Sequence, residues 1–184
     1  MAKSELDRDV LRVLYSEADI SARVKELGEA IYEDFKGKNP LFVGVLKGCF
    51  MFMADLIRAC PLKSELAFIA VSSYGDGTAS SGNVQITRDL GCDVTGRDLI
   101  VVEDILDSGN TLDFLTRYFQ AKGAASVTIV TLLDKPERRE KPVVARYVGF
   151  RAPNEFVVGY GLDYKQQYRN LPYVGVLKPE AYAE

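Results

Sequence analysis

Two adjacent carboxylates, Glu103 and Asp104, a third at Asp107 and the small polar run Ser108, Gly109, Asn110, Thr111 fall in one short window. Carboxylate oxygens suit sugar hydroxyls or a hard cation such as Mg²⁺. A tight polar turn at a helix start directs several backbone N–H groups at one spot, and the helix dipole adds positive potential there. Such a turn holds a phosphate without spending a lysine. The window therefore reads as a site for a phosphorylated sugar, with the phosphate on the turn and the sugar beside the acids. A buried strand followed by an ordinary acidic loop has the same composition, so both readings stand on this window alone.

The flanking elements decide how these residues are placed. Residues 99–102 are an unbroken, β-branched apolar run that fits a strand buried on both faces, ending at the two acids. Thr111 is placed to cap the next helix, whose stripe is Leu112, Leu115 and Phe119 and whose stop is Gly123. Residues 41–46 form a second strand, followed by Lys47-Gly48 and a helix over 49–60 carrying Phe50, Met53, Leu56 and Ile57. A lysine and free amides at such a junction can hold an anion. Further strands are expected over 66–71, 126–133, 143–150 and 173–177, and Lys135 lies just past the second of these. Ser16 and Asp19 make a capping box for a scaffold helix with Ile20, Val24, Leu27, Ile31 and Phe35 inward, ending near Gly37. Strand, helix and strand in succession imply right-handed crossovers and a parallel sheet, with ligands beyond the carboxyl ends of the strands. That rule brings Lys47, Glu103, Asp107 and Lys135 to one rim. Residues 75–83 are small, polar and glycine-rich, and 84–87 alternate like a hairpin arm. They read either as a loose hairpin tip or as a lid that excludes water.

The chain has 184 residues and a net charge of −3 without a basic stripe, which suits one domain over 1–184 and argues against nucleic acid as a main partner. There is no apolar signal core at the N-terminus and no membrane-length apolar stretch, so no membrane partner is expected. With no histidine, a histidine-based zinc site or a Ser-His triad is excluded. Cys49, Cys60 and Cys92 are odd in number and lack metal-ligand spacing, which fits free thiols in a reducing cytoplasm. Cys49 is read as packing rather than chemistry.

The segment Val101-Val102-Glu103-Asp104-Ile105-Leu106-Asp107-Ser108-Gly109-Asn110-Thr111 resembles the phosphoribosyl-pyrophosphate (PRPP) signature of the type I phosphoribosyltransferases. Together with Leu46-Lys47-Gly48, Ser73-Tyr74, Lys135 and Phe156-Val157-Val158-Gly159-Tyr160, it resembles the hypoxanthine-guanine branch over about residues 10 to 180. Asn110 replaces a lysine of some relatives and Ser108 a threonine of many, and both keep the turn.

The resemblance implies an α/β fold with a mainly parallel sheet flanked by helices, a lid over about 73–88 starting at Ser73 and Tyr74, and a hood from about 150–184 with the N-terminal segment. It implies Mg²⁺-dependent transfer of 5-phosphoribose from PRPP to N9 of hypoxanthine or guanine, giving IMP or GMP and pyrophosphate. By resemblance, Ser108, Gly109, Asn110 and Thr111 take the phosphate, and Glu103 and Asp104 the ribose and metal. Asp107 is the general base at purine N7. Lys47, Gly48 and Arg169 hold pyrophosphate, with a cis peptide at Lys47-Gly48. Lys135 recognises the 6-oxo group, Phe156 stacks on the base, backbone groups of Val157 read its edge, and Asp163 holds Mg²⁺. Read on chemistry alone, Lys135 is a solvated charge and Phe156 a core residue. The resemblance also implies a homodimer or homotetramer and poor use of adenine. Two rivals are a non-catalytic regulator on this fold that binds nucleotide and RNA, and a superfamily enzyme for xanthine, adenine or a pyrimidine.

Overall fold

The apolar run near residue 100 lies at the centre of the sheet because both of its faces are apolar. In the computed structural model, which describes residues 5–74 and 83–182, it forms β5 (Asp98–Leu106). Ile100 and Val102 join one apolar cluster and Leu99 and Val101 the other, as the two-residue period of a strand requires. In chain order the other elements are β1 (Val10–Tyr15), α1 (Glu17–Phe35), β2 (Leu41–Leu46), α2 (Phe50–Ala59), β3 (Glu65–Tyr74) and β4 (Asn83–Arg88). After β5 come α3 (Asn110–Ala121), β6 (Ser126–Asp134), β7 (Tyr147–Arg151), β8 (Val157–Val158), β9 (Val174–Leu177) and α4 (Pro179–Tyr182). Among the described residues the main sheet runs β4-β3-β2-β5-β6-β7, parallel except for the β3–β4 pair.

Helices cover both faces. Ile20, Val24 and Ile31 of α1 and Phe52 and Leu56 of α2 share a cluster with Ile100, Val102 and Val130. Leu112, Leu115 and Phe119 of α3 pack with Leu99, Val101 and Ile129. Burying each such side chain contributes about 1.5–3 kcal/mol, so the helical stripes hold the strand order in place. The capping box on α1 forms as the sequence predicts. Ser16 Oγ accepts the Asp19 N–H at 3.2 Å and Asp19 Oδ2 accepts the Ser16 N–H at 2.9 Å.

A second, antiparallel sheet of order β1-β9-β8 joins the start of the chain to its end. Val157, Val174 and Val176 belong to the same cluster as Ile100. Among the described residues no helix is long and apolar enough to cross a membrane.

Five local expectations need correction. Phe50, expected on the inward stripe of α2, is exposed, and Phe52 is buried in its place. The strand does not stop at the acids: β5 runs on to Leu106, because Ile105 and Leu106 continue the ladder opposite Leu133 and Asp134. Thr111 is not the cap of α3. Asn110 is the first helical residue and Gly109 is the N-cap at φ +86°, a backbone shape that glycine adopts without the Cβ penalty. β7 begins at Tyr147 rather than at 143. The Val143 N–H is used by the Lys141 carbonyl at 2.7 Å, and its carbonyl accepts Arg139 Nη1 at 2.7 Å, so neither joins a ladder. The cis peptide joins Leu46 and Lys47, one bond before the expected place, and nothing in the local sequence distinguishes the two bonds. Most of the expected lid, residues 75–82, lies outside the described residues. Ser73 and Tyr74 end β3, in register with Val84 and Asn83.

Candidate active site

Parallel strands in register bring their carboxyl ends together, and the residues that follow them become neighbours. Leu106 pairs with Asp134, so Asp107 and Lys135 leave adjacent strands side by side. Lys47 leaves β2, which pairs with β5 from Leu41↔Leu99 to Gly44↔Val102. Glu103, Asp104, Asp107, Ser108, Gly109 and Thr111 line one cavity of about 260 Å³.

Glu103 is buried, with 7% exposure, and Asp104 is partly buried beside it. Burial and then the neighbouring Asp104 charge push the Glu103 carboxyl well above the usual carboxylate range. Burial also raises Asp104, opposed by the Glu103 hydrogen bond, the Ile105 N–H at 2.8 Å and the charge of Arg169. A Cβ on Gly48 would overlap Asp104 Oδ2, so any larger residue there would displace that carboxylate. Burial, with Glu103 and Asp104 beyond it, pushes the Cys49 thiol far up, so it stays protonated and packs rather than reacts.

Asp107 has an asymmetric environment. Oδ2 lies 3.3 Å from Arg138 Nη1, while Oδ1 is buried with no hydrogen-bond partner among the described residues. In the turn beyond, the Asn110 N–H donates to Ser108 Oγ at 3.3 Å, and Asn110 Nδ2 to Glu140 Oε2 at 2.9 Å. Lys135 is only 6% exposed, and its Nζ donates to the Glu155 carbonyl at 2.9 Å. Burial lowers its pKa, and the Asp107 charge works the other way. Glu155 is held in turn by Arg12 of β1, at 2.5 and 3.1 Å.

Phe156 presents a half-open ring, stacked on Tyr182 at 5.1 Å and edge-on to Tyr164 at 5.5 Å. Val157 is buried opposite Val176. Lys47 Nζ donates to Gln166 Oε1 at 3.2 Å, as does Arg169 Nη2, also at 3.2 Å. Arg169 pairs with Asp163 Oδ1 at 2.8 Å, and Asp163 Oδ2 accepts the Gln166 N–H at 2.8 Å. Tyr160, Lys165, Gln166 and Tyr168 hold positive φ, a costly shape for residues with a Cβ and one that clusters at functional loops.

The structure thus brings Glu103, Asp104, Asp107, Ser108, Gly109 and Thr111 into one cavity, with Lys135 beside Asp107, whereas Asn110 does not line it and its side chain is bound to Glu140. Lys47, Asp163 and Arg169 form a separate polar network, tied to the acids through the charge of Arg169 on Asp104. Among the described residues no three acids or cysteines are placed to hold a metal ion together, so Asp163 does not form such a group with Glu103 and Asp104. Gln166, Arg138 and Arg139 contribute to the site and are missed by the sequence reading. The Arg138-Arg139 pair, three and four residues after Lys135, is the signal that points to two of them.

A parallel sheet with acids, a phosphate-type turn and a buried lysine at neighbouring strand ends defines the phosphoribosyltransferase class. The phosphoribosyl transferase domain family matches residues 14–165. The chain is 51% identical to the hypoxanthine-guanine phosphoribosyltransferase of Streptococcus thermophilus, covering 96% of this chain and 98% of that protein. It is 52% identical to the bifunctional protein TilS/HprT of Listeria monocytogenes, covering 97% of this chain but only 28% of the length of that relative. A solved hypoxanthine phosphoribosyltransferase from Staphylococcus aureus superposes with a TM-score of 0.96 at 48% identity, over 100% of both chains. The chain belongs to the hypoxanthine-guanine phosphoribosyltransferase family.

Proposed function

We propose that residues 1–184 form one domain that acts as a 6-oxopurine phosphoribosyltransferase. It transfers 5-phosphoribose from PRPP to N9 of hypoxanthine or guanine and releases pyrophosphate. The observation that carries this reading is the buried, unpartnered Oδ1 of Asp107, next in space to the buried Lys135. A carboxylate oxygen in that state can take a proton donor, and the buried ammonium, with one N–H on the Glu155 carbonyl, has donors left for an acceptor. The N7–H and 6-oxo group of a 6-oxopurine supply both.

The roles follow the geometry. Backbone amides of Ser108, Gly109 and Thr111 take the 5-phosphate, and Glu103 and Asp104 take the ribose hydroxyls. Lys47, Gly48 and Arg169 meet the pyrophosphate, with the guanidinium able to engage it bidentately. Lys135 donates to the 6-oxo oxygen, Phe156 offers its open face to the ring, and Val157 lies at its edge. As N9 forms a bond to C1 of the ribose, the C1–oxygen bond to pyrophosphate breaks and the leaving group keeps the electron pair. Asp107 Oδ1 accepts the N7 proton, so the purine does not keep the positive charge it develops.

Two carboxyls raised together by burial fit a divalent cation, and Mg²⁺ is characteristically held by one or two carboxylates with substrate oxygens and waters. Bound there, Mg²⁺ would neutralise the leaving pyrophosphate. Asp163 would serve through a water after releasing Arg169. Free cysteines among the described residues fit a reducing cytoplasm.

The test is incubation with PRPP, Mg²⁺ and either hypoxanthine or guanine, followed by chromatography. The expected products are IMP or GMP with one pyrophosphate each. No nucleotide from either base contradicts the proposal.

A further inference from the structure

Arg139 is a nearly enclosed guanidinium whose whole fork is engaged. Its side chain is 19% exposed. Nε donates to the Asp107 carbonyl at 2.9 Å, Nη2 to the Leu106 carbonyl at 3.3 Å and to the Asp134 carboxylate, and Nη1 to the Val143 carbonyl at 2.7 Å. Its neighbours act on the same loop. The Ser108 carbonyl accepts the Glu140 and Lys141 N–H groups at 2.8 and 3.1 Å, and the Leu106 carbonyl also accepts the Lys135 N–H at 2.9 Å. Three consecutive carbonyls, at 106, 107 and 108, are therefore held by the segment that begins at Lys135. A Cβ on Gly109 would stand 3.1 Å from Arg139 Cδ, so the arginine stem lies directly against the turn.

Peptide planarity gives these contacts a consequence. In a trans peptide the carbonyl and the next N–H point in opposite directions. Fixing the carbonyls of Leu106, Asp107 and Ser108 fixes the N–H groups of Asp107, Ser108 and Gly109. Those three residues line the cavity beside Glu103 and Asp104. The same bond to the Asp107 carbonyl sets the backbone from which the Asp107 carboxylate projects.

We propose that Arg139 is a positioning residue. It aims the phosphate-binding amides and the Asp107 backbone, and it makes the donor turn and the Lys135 segment one rigid unit. The proposal rests on the phosphoribosyltransferase reading given above. Lysine cannot replace Arg139, because a point charge on a flexible stem does not satisfy four acceptors in three segments.

The test compares the parent protein with Arg139→Ala and Arg139→Lys. Kinetics are measured for PRPP and hypoxanthine, with thermal melts and calorimetric binding of ribose 5-phosphate alongside. In both variants KM for PRPP should rise and kcat should fall, each by about tenfold or more, the scale of lost hydrogen bonds to a charged group. KM for hypoxanthine should change far less. Added guanidinium ion should restore part of the activity of Arg139→Ala and none of that of Arg139→Lys. Ribose 5-phosphate should bind more weakly to both variants. Parent-like kcat and KM for PRPP in Arg139→Ala would overturn the proposal. So would equal losses for both substrates with no guanidinium rescue, which mark a merely structural role. If Arg139→Ala does not fold, parent-like ribose 5-phosphate affinity in Arg139→Lys is the overturning result. A parent that forms no nucleotide overturns the functional reading instead, and the ribose 5-phosphate comparison still decides the role of Arg139.

Discussion

Leaving a buried carboxylate oxygen unpaired costs about 1–3 kcal/mol, and Asp107 Oδ1 is in that position while Oδ2 faces Arg138. The asymmetry separates an anchored oxygen from a reactive one. Asp107→Asn keeps the shape and removes the proton acceptor, so kcat should fall by about 10²–10⁴, the range of general-base catalysis, with KM for PRPP changed only a few-fold. Steady-state kinetics check this, and an unchanged kcat would remove Asp107 from its role. The acid pair makes a separate prediction. A carboxyl raised by burial contributes stability that is complete below the ordinary carboxylate pKa and is lost as pH rises through its folded value. Without metal, the melting temperature should therefore decline as pH rises from acid toward neutral. Glu103→Gln, which cannot ionise, should flatten that decline and raise the melting temperature at pH 8 by a few degrees, since 1 kcal/mol corresponds to about 2–4 °C at this size. It should also lose most of the stabilisation that Mg²⁺ gives the parent. A variant that melts lower than the parent at pH 8 would contradict the assignment.

At the scale of elements, the site depends on where β5 and β6 end and on one turn of positive φ. Gly109→Ala should cost about 1–2 kcal/mol for a left-handed residue with a Cβ. The added carbon also presses on Arg139 Cδ. Thermal melts should show the loss, and KM for PRPP should rise more than KM for the purine. Equal changes in both would place the turn outside the phosphate site. The stripes of α1 and α3 are legible because helical period is a local property, whereas in α2 Phe50, expected inward, is exposed and Phe52 is buried in its place. The gathering of Glu103, Asp107 and Lys135 on one rim is legible because each follows an apolar run, but the burial of Lys135 is not, since chemistry alone reads it as a solvated charge. The end of β5 was misjudged because Ile105 and Leu106 are held by β6, a partner remote in sequence. Arg139 and Gln166 were not legible, because their partners are backbone carbonyls and distant side chains that leave no periodic trace.

At the scale of the molecule, two sheets meet in one apolar cluster, which carries the Phe156 segment to the rim that holds Lys135 and Asp107. On another surface, Phe50, Leu66 and Phe68 remain between 38% and 52% exposed, and Leu66 and Phe68 share a face of β3. Side chains of this kind suit a second copy of the chain, and two-fold dimers are the commonest assemblies. Light scattering should give a dimer or tetramer, and Leu66→Glu should shift it toward monomer. A monomeric parent at micromolar concentration would contradict this.

The proposed function turns on the base that Lys135 selects. A buried ammonium that meets a 6-amino group in place of a 6-oxo oxygen loses its acceptor, and sites built on such a hydrogen bond reject the wrong partner by about 10⁴-fold. The direct measurement is kcat/KM for hypoxanthine and for adenine in one preparation, with saturating PRPP and Mg²⁺. The expected ratio is about 10³ or more, falling sharply in Lys135→Ala. A ratio near one in the parent would contradict it.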